Sequence, residues 1–345
     1  IRFPFVQTFP TQGPPSPMRI VIVAPDLPDE IVPIFPALTD ASRAQPGLAF
    51  TILTGEAAAP WAGLHPAVDE VVTFPLDTLA APWWRSTGRQ ARRSWKTLLG
   101  EHEALGSAET VIDPVGDETT MAALRHLPGR SVGMVRSAGQ PALKGRQAYD
   151  SPFPIPAELH RVQATRMLFA AHLEYSLHDL NPDYGLTIEP EPIVTDLLVD
   201  TRGLPFDEAG AALLRRRLEE TGVTLDDLGR HPPEDEADYR RRLTQSRYVL
   251  TGTNLTGWLA AALGIPGVCV CDDGRARHDG VITTRHAAQK LINVDTPPMN
   301  QPEIVVESII QVITGGEAPI ELPEEDAAED GAPVVAADTV RKLDH

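Results

Sequence analysis

The sequence predicts an α/β protein made of two lobes, each a parallel sheet wound with helices, with a cleft between them. Three observations lead there. Short apolar strands alternate with helical stretches, and the first two strands start about thirty residues apart, the spacing of a βαβ unit. Residues 181–193 hold three prolines and three acids and interrupt the pattern. Beyond them the alternation begins again, and two such lobes leave room for a ligand between them.

Residues 1–17 carry five prolines and no acid, which predicts a flexible leader with Met18 as the natural start. Residues 19–24 (RIVIVA) are largely apolar, as a strand buried on both faces must be. A loop at 25–28 leads into one helix running to about residue 44, and a strand follows at 49–53. Residues 68–74 read as a strand, 84–103 as a long polar helix, 109–113 as a strand, 118–127 as a helix and 131–136 as a strand. A proline-rich connector at 151–156 precedes an amphipathic helix at 157–173, which closes an N-terminal lobe of residues 18–180.

After the linker at 181–193, a C-terminal lobe of residues 194–315 begins with a strand at 196–200. A helix at 207–220 follows, with Leu213, Leu214 and Leu218 on one face. A helix at 239–246, a strand at 247–251, a helix at 256–263, a strand at 267–271 and a helix at 301–313 complete the lobe. Residues 316–345 hold nine acids against two bases and predict a disordered acidic tail.

Composition narrows the function. A net charge of −18 disfavours a general nucleic-acid binder, because phosphate neutralisation needs clustered bases. Two cysteines, Cys269 and Cys271, exclude a disulfide framework and a four-thiolate metal site. Both lie on one face of a single strand, and buried core thiols are the expected reading. No run approaches the ~20 apolar residues of a membrane span, so a cytoplasmic location is expected. Neither G-x-G-x-x-G nor G-x-x-x-x-G-K-[ST] occurs. Gly129–Gly133 matches G-x-S-x-G but leads into a strand, so it is expected to be a chance match.

Six stretches share their order with a known family. They are residues 18–23 (MRIVIV), 36–41 (PALTDA), 65–72 (HPAVDEVV), 110–113 (TVID) with Gly116, 148–171 through Tyr149, His160 and Phe169, and 259–266 (LAAALGIP). In that order they resemble the ADP-heptose:lipopolysaccharide heptosyltransferases, glycosyltransferase family 9, across residues 18–313. The resemblance implies a GT-B fold, two Rossmann-like lobes with the acceptor on the N-terminal lobe and the nucleotide sugar on the C-terminal one. It implies inverting transfer of a heptose from an ADP-sugar donor to an anionic, lipopolysaccharide-type glycolipid at the inner-membrane surface. A carboxylate base is needed because a sugar hydroxyl is a poor nucleophile until its proton is taken. No metal or other cofactor is expected, since arginine and helix N-termini neutralise a leaving diphosphate. The alternative is a relative that has lost catalysis and serves as a binding or scaffold protein.

The site motifs depart from the family's. Its M-G-D turn aligns with Pro28, Asp29 and Glu30, making Glu30 the candidate base; the other reading is that the acids merely favour a helix start. Its D-T-G-x-x-H motif aligns with Thr253, Asn254, Leu255, Thr256, Gly257 and Trp258. Thr253, Asn254 and Thr256 are candidate donor contacts, or Asn254 or Thr256 simply caps the helix. Its T-[ST]-R loop survives as Thr201 and Arg202, the latter a phosphate holder or an exposed arginine. Leu255 and Trp258 would fill the sugar-nucleotide pocket in a scaffold, whereas a transferase must leave it open.

One basic stretch is free of acids. Arg85, Arg89, Arg92 and Lys96 recur at helical spacing with Arg93 beside them and tryptophans nearby. They are the candidate acceptor face, suited to an anionic glycolipid at the inner-membrane periphery. A solvated helix face is the alternative.

Overall fold

The computed structural model describes residues 18–82, 84–136, 149–156, 158–187, 191–204, 206–271, 280–289, 291–295 and 302–314. The expected leader and tail fall outside them.

The first sheet contains β1 (Arg19–Val23), β2 (Ala49–Thr54), β3 (Val68–Thr73), β4 (Thr110–Asp113), β5 (Arg130–Arg136) and β6 (Ser151–Ile155). They pair in the order β3-β2-β1-β4-β5-β6, all parallel. The order reverses between β1 and β4, so the loops after those strands open at a topological switch point. Alternate residues serve two cores: Ile20, Ile22, Phe50 and Ile52 face one side, and Val21, Val23, Leu53 and Val111 the other. The first side is covered by α1 (Pro28–Ile31), a 3-10 turn (Val32–Ile34), α2 (Phe35–Ala44) and α3 (Ala59–Ala62). The second carries α4 (Asp77–Ala80), α5 (Ser86–Glu101), α6 (Glu103–Gly106) and α7 (Glu118–Leu124), and α8 (Arg161–His172) returns to the first.

The second sheet is also parallel among the described residues. It contains β7 (Thr195–Val199), β8 (Leu225–Asp227), β9 (Ser246–Gly252), β10 (Gly267–Cys271) and β11 (Leu291–Asp295), in the order β11-β10-β9-β7-β8. Helix α9 (Glu208–Glu220) and the last helix, at Pro302–Thr314, pack on one face against Leu197, Val199 and Leu250. Helices α10 (Glu236–Thr244) and α11 (Leu255–Leu263) cover the other, over Leu198, Val249 and Cys269. We label the last helix α12.

That second face shares one continuous core with the first lobe. Phe35, Trp61, Val162 and Phe169 belong to the same apolar cluster as Tyr239, Leu243 and Trp258. Trp61 and Tyr239 meet edge to face across the junction, ring centres 5.2 Å apart.

Several elements differ from the sequence reading. The single helix expected to end near residue 44 is broken into α1, the 3-10 turn and α2, because Pro33 and Pro36 lack the N–H that would continue the ladder. The expected connector at 151–156 is the edge strand β6, where Pro152 and Pro154 are tolerated on a sheet rim. Helix α8 starts only at Arg161, capped by His160, whose Nδ1 accepts from Val162 N–H. It is buried along most of its length instead of showing one polar face. Strands β8 and β11 were not expected at all. Within 181–193, Asp183 and Tyr184 are buried: Asp183 accepts from Arg43 of the first lobe and from Arg285 and His286 of the second. Both thiols are buried, and Ser131 of the G-x-S-x-G match lies on β5, bonded to Asp150. No helix among the described residues is long and apolar enough to cross a membrane.

Arg166 on α8 has 1% of its surface exposed and spends its donors on Asp40, Gln163 and the carbonyls of Asp179 and Leu180. Removing one member of a buried ion pair strands the other charge, at a cost of about 3–5 kcal/mol. Arg166→Met should therefore lower unfolding free energy by that amount in urea melts, although Met matches the chain's bulk.

Candidate functional site

Strands β7 and β9 flank the switch point of the second sheet, and their C-terminal ends come very close. A Cβ added to Gly252 would lie 1.7 Å from the Gly203 carbonyl oxygen, so only glycine fits there. This approach clamps the 3-10 turn Thr201–Gly203 onto the turn that starts α11. Asp200, buried at the end of β7, organises the junction. It accepts from Arg202 through the backbone N–H (3.2 Å), Nε (2.8 Å) and Nη2 (3.1 Å), from Asn254 Nδ2 (3.1 Å) and from the Thr256 hydroxyl. Burial pushes this carboxyl up, but the bonds from Arg202 and Thr256 outweigh it and hold Asp200 below the usual carboxylate range.

The candidate donor residues are thus brought together, each with a partner inside the chain. Asn254 Oδ1 caps α11 by accepting from Gly257 N–H at 3.2 Å. Thr201 donates to Asp227 at 3.2 Å, and Thr256 also meets the Tyr239 hydroxyl. Thr253 stands apart, its hydroxyl 4.0 Å from Cys269 Sγ. The Asp200 carboxylate beside the start of α11 occupies the electrostatic position an anionic ligand would take.

Glu30 approaches the same turn from the first lobe. It lies on α1, just after β1, and is ion-paired to Arg161 at the start of α8. The Arg161 guanidinium sits over the Trp258 ring, 5.3 Å from its centre. His160 meets the same indole at 6.4 Å between ring centres, while its Nε2 bonds to the Gly280 carbonyl at 2.6 Å. Trp258 therefore stands between the lobes with no exposed surface, and its Nε1 has no hydrogen-bond partner among the described residues. Burying an indole removes on the order of 200 Å² from water, roughly 5 kcal/mol, against about 1–3 kcal/mol for an orphaned donor. Packing wins, and the tryptophan stays.

The basic stretch is not part of this junction. Arg85 precedes α5, and Arg89, Arg92, Arg93 and Lys96 project from it, all exposed, while Ala91 and Trp95 face inward. Trp84 is 64% exposed beside them. Helix α5 lies on the opposite face of the first sheet from α1, so these cations do not converge with Glu30. A pocket of about 270 Å³ next to α5 is lined by Arg92, Arg125 and His126 together with Leu79, Pro82 and Met121. Among the described residues no group of three or more His, Cys, Asp or Glu is placed to hold a metal ion.

At the first sheet's switch point, Asp113 folds the loop after β4. Its Oδ1 accepts from Val115 N–H (3.1 Å) and Gly116 N–H (2.8 Å), and its Oδ2 from the Thr120 (2.8 Å) and Tyr149 (2.9 Å) hydroxyls. Burial nevertheless pushes this carboxyl up to about 6, against the pull of those four bonds.

Sequence reasoning missed Asp200, Tyr239, His160 and Arg161 as parts of the site. Two carried a signal. Asp200 ends a parallel strand, where ligand crevices open. Arg161 opens a helix, where the dipole disfavours a cation unless an acid such as Glu30 faces it.

A carboxyl whose pKa rises on folding favours the protonated form in the folded state. Its stabilisation is full below about pH 4, is lost as pH rises through about 6 and then stays flat. A shift of about two units corresponds to about 3 kcal/mol. In paired urea melts at pH 4 and pH 7, wild-type stability minus that of Asp113→Asn should fall by about that amount between the two. An unchanged difference would mean that Asp113 keeps an ordinary carboxyl.

No family model matches the chain. It is 31% identical over 173 residues to lipopolysaccharide heptosyltransferase 1 of Pseudomonas aeruginosa, covering 50% of this chain and 47% of that protein. It is 28% identical over 170 residues to the Escherichia coli protein of the same name, covering 49% and 52%. The chain thus matches about half the length of these curated relatives. In structure it resembles the Escherichia coli heptosyltransferase WaaC solved with ADP, with a TM-score of 0.65 and 19% identity over 85% of this chain and 99% of that one. From these matches, the chain is similar over about half its length to lipopolysaccharide heptosyltransferases, and it has the two-lobed GT-B fold.

Proposed function

We propose that the chain is an inverting glycosyltransferase that moves a heptose from an ADP-sugar to a lipopolysaccharide-type glycolipid, working in the cytoplasm at the inner-membrane surface. The observation that carries this reading is convergence. Glu30 and the turn at Thr253–Thr256 are more than two hundred residues apart in sequence, yet Arg161 joins Glu30 to Trp258 at one junction between lobes. The relatives support the donor: one heptosyltransferase was solved with ADP and another structure with ADP-2-deoxy-2-fluoro heptose.

In this reading Glu30 takes the proton of an acceptor hydroxyl, whose oxygen attacks the anomeric carbon as the bond to the diphosphate breaks. ADP leaves and the configuration inverts. Arg202, with Thr201, Thr253, Asn254 and Thr256, receives the diphosphate at the start of α11. That requires Arg202 to exchange Asp200 for phosphate. Arg85, Arg89, Arg92, Arg93 and Lys96 lie on the opposite face of the first sheet from Glu30, so in this reading they hold the anionic acceptor away from its reacting hydroxyl, and the exposed Trp84 beside them suits a membrane surface.

A second reading, a relative that keeps the fold for binding without transfer, is favoured by one observation. Trp258 fills the position of the family motif's histidine, and it is fully buried between lobes.

Calorimetry with ADP and ADP-heptose separates the two. A transferase binds both, Thr201→Ala/Arg202→Ala abolishes that binding, and Glu30→Gln keeps it while losing about 10²–10⁴-fold in transfer rate. A wild-type chain that binds neither supports the second reading.

A further inference from the structure

We propose that the pocket beside α5 binds a small phosphate monoester with an apolar body, at a site separate from the junction of the lobes and independent of transfer. Helices α4, α5 and α7 border it, on the face of the first sheet turned away from α1. Tight packing makes the cavity a fixed part of the fold. Gly88, one turn before Arg92 on α5, lies so close to the end of α4 that an added Cβ would stand 2.4 Å from the Pro82 carbonyl oxygen. On the other side Trp95 Nε1 donates to the His126 carbonyl at 3.1 Å, which ties α5 to the end of α7.

The lining selects the ligand. Leu79, Pro82, Met121 and Ala122 supply apolar walls. Arg92 comes from α5, and Arg125 and His126 from the end of α7, so the cations belong to two separate helices. The C-terminal dipole of α7 favours Arg125 but does nothing for Arg92. Other helix arginines have an acid at hand: Arg217 pairs with Glu220, Arg240 with Glu236 and Arg241 with Asp238. Neither Arg92 nor Arg125 forms an ion pair among the described residues, although Glu118 lines the same pocket. Their charge is felt locally, because burial first and then both arginines hold His126 below the ordinary histidine range. Two positive charges and a neutral imidazole match a phosphate monoester, which carries about −1.5 to −2 at pH 7 and offers paired oxygens to guanidinium forks. A carboxylate would leave one charge unmatched. Glu118 opens α7, roughly 10 Å along the helix axis from Arg125, and disfavours a second anion at that end. The volume of about 270 Å³ lies below the ~300–1,000 Å³ of sites for drug-sized ligands, so the apolar body is short and a whole lipid chain does not fit.

The test is calorimetric titration of the full chain with hexyl phosphate, beside inorganic phosphate and hexanol as the two halves of that probe. Hexyl phosphate should bind saturably and about tenfold or more tighter than either half. Ala122→Phe should fill the pocket and abolish binding. Arg125→Gln should weaken it by about tenfold or more, and because Arg125 is exposed this variant decides even where Ala122→Phe fails to fold. The His126 ring C2–H resonance, assigned by its loss in His126→Gln, should move along the same isotherm. Absence of saturable binding overturns the proposal, as does binding that Arg125→Gln leaves intact or that inorganic phosphate matches. Retention on phosphatidic-acid vesicles without binding of hexyl phosphate also overturns it, because the basic face of α5 would then be reading a membrane surface. None of these readouts needs turnover, so the transferase reading stands or falls separately.

Discussion

The apolar core that runs without a break from the first lobe into the second constrains everything else in this molecule. Most of its members, such as Ile20, Phe50 and Leu198, come from the inner faces of two parallel sheets. Trp258 joins those halves. It rises from α11 of the second lobe and is gripped by Arg161 and His160 of the first, with no surface left to solvent. Because its indole N–H finds no acceptor among the described residues, shape and apolar contact hold it there, and any ligand entering at this point must displace or reorient it.

Polar groups around that seam are arranged in the same closed manner. Asp200 gathers Arg202, Asn254 and Thr256, the residue types that would greet a diphosphate, into one internal network. At another point of the junction Asp183 collects Arg43 from one lobe and Arg285 and His286 from the other. The Asp183 network spans the lobes and favours their closure, whereas the Asp200 network lies within the second lobe and closes its own ligand turn. Donor binding at the start of α11 then becomes a competition in which phosphate must outbid Asp200 for Arg202, a contest a doubly charged diphosphate is suited to win.

Much of the architecture was legible in the sequence because buried parallel strands are continuous apolar runs. RIVIV, AFTILT and GVCVC could hardly be anything else. Strand β8, with the sequence LDD, offers no such run and owes its place to pairing with β7. Prolines misled in both directions: Pro33 and Pro36 broke a helix that periodicity had joined, while Pro152 and Pro154 sat in an edge strand that composition had made a connector. The site was legible as a set of positions. Arg202, Asn254 and Thr256 meet around Asp200 while Thr201 bonds to Asp227, but only three-dimensional placement shows these donors already engaged. Arg161 escaped notice because a helix-opening arginine looks ordinary until its acid, 131 residues away, is found facing it.

Hydroxyl-radical footprinting with residue-level mass spectrometry tests the closed seam most directly, because the chain carries its own reference. Trp84 is 64% exposed and should be oxidised readily, whereas Trp258 should stay protected in the free protein. Added ADP-heptose should then raise Trp258 labelling as the indole gives way. Equal labelling of Trp258 and Trp84 without ligand would contradict a seam closed over Trp258.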